Sequence, residues 1–176
     1  PVVFLYVSSC KKDNPIKFSE GTFPDSTFIL TEINSSYDDY NMDIHQLNDH
    51  SILIFSSNRN SAGEQFDLVQ GVLTYFFVLK NGDFTIRSEI IQDPFLTTLL
   101  SKANTPDDDL GPYTLFSTVD GFEYLILSSK AQNGDLDLFY LNNQPVTGNT
   151  LPVINGPFPL SLLNSDSDDA YICFDT

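Results

Sequence analysis

A short acidic motif occurs three times in the chain, and this repetition limits the folds that the sequence can adopt. The motif consists of Asn, then Ser or Thr, two variable residues and a pair of Asp residues. Its copies begin at Asn34, Asn104 and Asn164, so they lie 70 and then 60 residues apart. Repetition at such an interval predicts a row of similar units that bury apolar surface against one another.

Two further landmarks follow the first two copies in the same order. One is an apolar run that ends in Ser-Ser, and the other is an apolar residue followed by Asp-Leu. They occur at Ile52–Ser57 and Phe66–Val69 in the first unit, and at Tyr124–Ser129 and Leu136–Phe139 in the second. Because the landmarks keep their order, we predict that both units form the same antiparallel sheet, with Ile54 equivalent to Ile126 and both buried.

The spacing of apolar residues predicts an all-β fold. Apolar runs are short, and Asn, Asp, Gly, Ser and Pro separate them, as is typical of strands joined by turns. Asn81-Gly82 and Asp120-Gly121 are expected in hairpin turns. The predicted strands are Tyr40–His45, Ile52–Ser57, part of Phe66–Leu79 and Phe84–Ile91, then Tyr113–Ser117, Glu123–Ser129, Leu136–Leu141 and Leu151–Ile154.

One short helix is expected between the two units. Asp93 is suited to cap its start, Pro94 to occupy its first turn, and the helix should end before Asn104. A third unit begins at Asn164, and Tyr171 should start its first strand. Cys173 lies in that apolar run and is expected to be a small core residue.

Several segments together resemble the repeat of one known family. They are Tyr37–Asn41, Leu53–Arg59, Phe66–Leu68, Asp120–Ser129 and Gly134–Phe139. The chain from Ile33 to Thr176 is similar in this way to TolB-like (WD-like) β-propellers, with departures at Lys130 and His45–Asp49. The resemblance implies a partial β-propeller of about two four-stranded blades and the start of a third. It also implies a scaffold that binds a protein partner.

The predicted organisation divides the chain into five parts. Residues 1–10 end a signal segment, and residues 11–32 form a polar linker and a first strand. Residues 33–103 and 104–163 are the two propeller repeats, and residues 164–176 begin a truncated third repeat.

The start of the chain resembles the end of a bacterial lipoprotein signal peptide. A short apolar run and small residues precede Cys10, and Lys11-Lys12 follows it. In that family the Cys is lipidated, which anchors a protein whose apolar run is too short to span a bilayer. The resemblance places the protein in the bacterial cell envelope, lipid-anchored to the outer membrane through Cys10 and facing either the periplasm or the cell surface. The alternative is an ordinary first strand with a buried Cys.

The charge of the chain narrows the range of partners. It contains 24 acidic and 8 basic residues, for a formal net charge of −16. The negative charge repels phosphate backbones, so nucleic acid is not expected as a partner. Cations and basic protein surfaces are compatible with it.

Propeller topology would bring the acidic motif of every unit to one rim. Such a rim would suit a basic partner segment or calcium, and no other cofactor is expected. The alternative is that the Asn and Asp side chains satisfy backbone donors in the turns between blades. The candidate rim residues are Asp38, Asp39, Asp108, Asp109, Asp168 and Asp169.

Catalytic motifs are missing from the sequence. The two histidines, His45 and His50, have a spacing that suits neither a metal pair nor a catalytic triad, and no phosphate-binding loop or nucleophile elbow occurs. We therefore expect a non-catalytic scaffold that binds a protein. The alternative is a propeller that binds or cleaves glycans with paired carboxylates of the acidic rim.

Overall fold

Two four-stranded antiparallel sheets and one helix form the described part of the chain. The computed structural model describes residues 27, 29–44, 50–80, 82–132, 134–144 and 150–174. The elements are β1 (Asp39–Ile44), β2 (His50–Ser57), β3 (Asp67–Val78), β4 (Asp83–Ile90), α1 (Pro94–Ala103), β5 (Asp109–Phe116), β6 (Glu123–Lys130), β7 (Leu136–Asn143) and β8 (Ile154–Pro159). The strand order is β1-β2-β3-β4 in one sheet and β5-β6-β7-β8 in the other. The all-β prediction is confirmed.

The two sheets share one register. Asp39 pairs with Ser57 in the first sheet, and Asp109 pairs with Ser129 in the second. Ile54 and Ile126 occupy equivalent positions on β2 and β6 and are 3% and 4% exposed. The predicted equivalence of these two residues is therefore confirmed.

A bulge interrupts the first strand of each sheet. The register shifts between Tyr40 and Asp43 in β1, and at the corresponding place in β5. Asn41 and Gly111 have φ angles of 54° and 57° at these bulges, and Tyr171 has 61° at the same position of the third motif. Asn tolerates this conformation better than most residues, whereas Tyr rarely adopts it, and the Tyr171 amide is held there by a hydrogen bond to Ser128.

The main core lies between the sheets and around α1. The cap at Asp93 accepts a hydrogen bond from the Leu96 amide at 2.9 Å, and Pro94 begins the helix, as predicted. One face of the helix is apolar and packs on residues from both sheets. The buried members of this cluster are Ile54, Leu68, Leu96, Leu99, Leu100, Ala103, Leu125, Leu127, Leu141 and Ile154.

Four predictions about the second and third units need correction. β5 begins at Asp109 instead of Tyr113, and β8 covers Ile154–Pro159 instead of Leu151–Ile154. β8 is an edge strand, and an edge strand tolerates proline because one side of it makes no ladder hydrogen bonds. Cys173 is exposed, and residues 171–174 form no strand, because no described strand pairs with them.

We expect Leu100→Ala to destabilise the protein by about 2–5 kcal/mol, because Leu100 is buried between the two sheets and its removal leaves a cavity. Thr98→Ala is the matched control on the exposed face of the same helix and should change the free energy of unfolding by less than about 0.5 kcal/mol. Urea unfolding measures both variants. Equal effects of the two substitutions would contradict a core around α1.

Candidate functional site

The acidic motif joins the second and the third unit to the sheet before it. Asn104 accepts a hydrogen bond from the Leu68 amide through Oδ1 at 2.8 Å and donates through Nδ2 to the Leu68 carbonyl at 3.1 Å. Asn164 makes the same pair of bonds to Leu138, at 2.9 and 3.1 Å. The Asn side chain thus bonds both backbone groups of one residue in the third strand, as a neighbouring strand would.

The first Asp of the motif adds a second attachment two residues earlier on that strand. Oδ1 of Asp108 accepts from the Phe66 amide at 2.9 Å, and Oδ1 of Asp168 accepts from the Leu136 amide at 2.9 Å. We call the Asn and the first Asp of each motif the clasp. The clasp uses only backbone groups of the preceding sheet, so its fit depends on strand geometry more than on side-chain identity.

The second Asp closes the loop of its own motif. Its Oδ2 accepts from the amide four residues earlier in all three copies, at 2.5–2.6 Å. The three pairs are Ser35–Asp39, Thr105–Asp109 and Ser165–Asp169. These bonds give a structural reason for the Ser or Thr in the motif. Five of the six candidate rim carboxylates therefore have backbone partners, and Asp38 has none among the residues that the structure describes.

A third attachment lies on the second strand of the preceding sheet, and the sequence did not predict it. The Ser56 hydroxyl accepts from the Gly111 amide at 3.1 Å, and the Ser128 hydroxyl accepts from the Tyr171 amide at 3.3 Å. Both donors are the bulge residues described above. The recurrent Ser-Ser landmark was the available signal, because its first Ser makes this contact.

The second Asp residues of the first two motifs, Asp39 and Asp109, differ in their surroundings. Burial raises the pKa of Asp39, but hydrogen bonds from Ser57, Arg59 and Ser35 outweigh it, so the pKa lies below its ordinary value. The Arg59 guanidinium is 2.6 Å from Asp39. Asp109 is 0% exposed, and burial raises its pKa to about 6 despite hydrogen bonds from Thr105 and Ser129.

These two residues should give opposite pH dependence of stability. Between about pH 4 and pH 6 the Asp109 carboxyl keeps its proton in the folded protein but loses it in the unfolded chain, where the pKa is about 3.8. Its contribution to the free energy of unfolding therefore decreases as pH rises from about 4 to about 6. Asp109→Asn should therefore gain stability relative to wild type over this range, on the order of 1–3 kcal/mol. Urea unfolding at several pH values measures the difference.

Asp39→Asn is the matched comparison in the other unit. The lowered pKa of Asp39 means that its ionised form stabilises the fold above the ordinary pKa, and that this contribution is lost as pH falls. The variant should therefore lose most stability near neutral pH and least in acid. Parallel pH profiles for the two variants would contradict the assigned environments.

The ends of the three motifs lie near one another around Tyr40. Burial, a hydrogen bond with Tyr171 and the charges of Asp108 and Asp38 all raise the pKa of Tyr40. β1 and β5 are also in contact although they belong to different sheets. The first strands of successive units therefore lie next to one another. Within the described residues, no group of three or more His, Cys, Asp or Glu could hold a metal ion.

A crevice of about 420 Å³ opens between α1, β2 and the adjoining ends of β5 and β6. Its walls are mainly apolar and include Ile54 and Leu99, and three acidic residues also line it: Asp43, Asp93 and Glu123. None of the described residues that line it is basic. Its volume is within the range of small binding pockets.

Hydrogen bonds hold all three carboxylates, that of Asp93 as the cap of α1. Oδ2 of Asp43 accepts from the Thr114 amide at 2.8 Å and also from the Thr114 hydroxyl. Oε2 of Glu123 accepts from Nδ2 of Asn143 at 2.8 Å. Asp43 and Thr114 belong to different sheets, so this bond also ties the units together at the crevice.

Cys10 lies outside the described residues. In the described part of the chain, no helix has both the length and the apolar character needed to cross a membrane. Comparisons with protein-family models, curated proteins and solved structures found no match to this chain.

Proposed function

We propose that the chain is part of a β-propeller that serves as a non-catalytic scaffold for binding a protein partner. The two sheets would be neighbouring blades. Support comes from the repeated contact between units, since the second unit attaches to the first as the third motif attaches to the second. An identical contact applied repeatedly builds a ring or a superhelix of units.

The arrangement of strands favours the ring. In a propeller the first strand of every blade lies at the central channel and the fourth lies at the outside. The contact between β1 and β5 and the hydrogen bond between Tyr40 and Tyr171 agree with such convergence. A lipid anchor at Cys10 would hold this scaffold at the outer membrane of a bacterial cell envelope.

The crevice is the surface that best fits a partner, and it is the observation that carries the binding proposal. Its apolar walls would hold the alkyl stem of a Lys or Arg side chain, and its carboxylates would attract the charged end. The net charge of −16 would speed the approach of a basic segment. We therefore propose a partner segment in which basic and apolar residues alternate.

Glu123→Gln tests this proposal with a defined probe. A fluorescent peptide of alternating Leu and Lys should bind the complete protein, and the variant should bind it about 3–10-fold more weakly because one crevice carboxylate is neutralised. Fluorescence anisotropy measures the affinities, and the melting temperature verifies folding.

Glu89→Gln is the matched control, since it removes the same charge from an exposed residue of β4 outside the crevice. Its affinity should stay within about twofold of wild type. Equal weakening by both variants would show that the peptide responds only to net charge and would overturn the crevice as the site. Binding or cleavage of N-acetylglucosamine oligosaccharides, with no peptide binding, would favour the glycan alternative.

A further inference from the structure

We infer that Asn34, Asp38 and the Asn41 amide form a docking site for the second and third strands of a further unit of the same repeat. This inference rests on the proposed propeller, and it names the surface by which the first described unit joins another one. The first motif differs from the other two because no described sheet lies in front of it.

The second and third motifs, which are bonded to a preceding sheet, define what such a site recognises. The Asn bonds both backbone groups of a third-strand residue, and the first Asp bonds the amide two residues earlier. The bulge residue, seven positions after the Asn, donates its amide to a Ser hydroxyl on the second strand. The third motif repeats this set of contacts on the second sheet.

The first motif has the same groups in the same conformation. The Asp39 carboxylate closes its loop by accepting from the Ser35 amide at 2.6 Å, and the Asn58 side chain accepts from the Asp38 amide at 2.9 Å. Asn41 has the positive φ of the other bulge residues. Because the loop is already formed, docking would require little ordering of the backbone.

The clasp of the first motif is free within the described residues. Asn34 and Asp38 are exposed, and no described residue makes a hydrogen bond to either side chain. A groove of about 500 Å³ lies at this motif, and the rings of Tyr37, Tyr40 and Phe66 line part of it. In the occupied copies the clasp holds backbone from the start of the preceding third strand.

The contacts of the occupied copies specify the occupant. It should present a strand that ends in Ser-Ser, followed by a strand that begins with an apolar residue, Asp and Leu. This pattern occurs in both sheets, but the clasps at Asn104 and Asn164 already occupy those strands. A second copy of the described units therefore cannot dock in this way. The occupant is a further unit, which the proposed propeller supplies as the blade that closes its ring.

Three matched double variants of the complete protein test the inference. They are Asn34→Ala with Asp38→Ala, Asn104→Ala with Asp108→Ala, and Asn164→Ala with Asp168→Ala. Each should lower the melting temperature by about 5 °C or more, because buried backbone groups lose their partners. An unchanged melting temperature for the first double variant, beside a fall for the second, would overturn the inference.

Milder variants keep the test decisive if a double variant fails to fold. Asn34→Asp and Asn104→Asp each remove the Nδ2 donor and retain an acceptor, so they should cause similar, smaller falls in melting temperature. A neutral Asn34→Asp beside a destabilising Asn104→Asp would also overturn the docking site.

Two readouts separate this inference from its alternatives and from the proposed function. A melting temperature that rises with protein concentration would mean that another chain supplies the unit, which would overturn docking by the closing blade. Peptide binding at the crevice is measured on the same variants in their folded form. If the wild-type protein does not bind the peptide, the binding proposal is overturned. If the double variant at Asn34 and Asp38 keeps the wild-type melting temperature, only the docking site is overturned.

Discussion

The joint between units depends on side chains that pair with backbone. Leu68 and Leu138 are buried, at 2% and 7% exposure, so an unpaired amide or carbonyl at either residue would cost stability. The Asn of the following motif bonds both groups of this Leu, and the first Asp of that motif bonds the amide two residues before the Leu. These bonds, with the backbone bond from the Asp109 amide to the Phe66 carbonyl, hold the second unit against the first sheet, and the helix and the apolar core pack beside them.

The same bonds explain why a strongly acidic repeat need not be a binding site. A carboxylate that accepts backbone hydrogen bonds is held in its own loop, as Asp109 and Asp169 are, and offers fewer positions to a ligand. Features that occur only once are better candidates for recognition. The crevice is such a feature, because side chains of both units line it and its Glu123 carboxylate accepts from the side chain of Asn143.

The sequence predicted the features that local pattern determines. The repeated landmarks predicted the two matching sheets and the equivalence of Ile54 and Ile126. The Asp93-Pro94 pair predicted the start of the helix. The bulges could not be predicted, since Asn41 and Tyr171 adopt there a conformation that usually indicates Gly. The crevice was missed as well, because residues far apart in sequence form it and no motif marks them. Strand β8 was misplaced because proline normally argues against a strand.

Amide hydrogen exchange of the Leu68 and Leu138 backbone tests the clasp most directly. Asn104→Ala removes the acceptor for the Leu68 amide alone, and Asn164→Ala removes the acceptor for the Leu138 amide alone. We expect each substitution to speed exchange at its own Leu by about tenfold or more and to leave the other Leu protected. Unchanged exchange at Leu68 in the folded Asn104→Ala protein would contradict the clasp as the joint between the units.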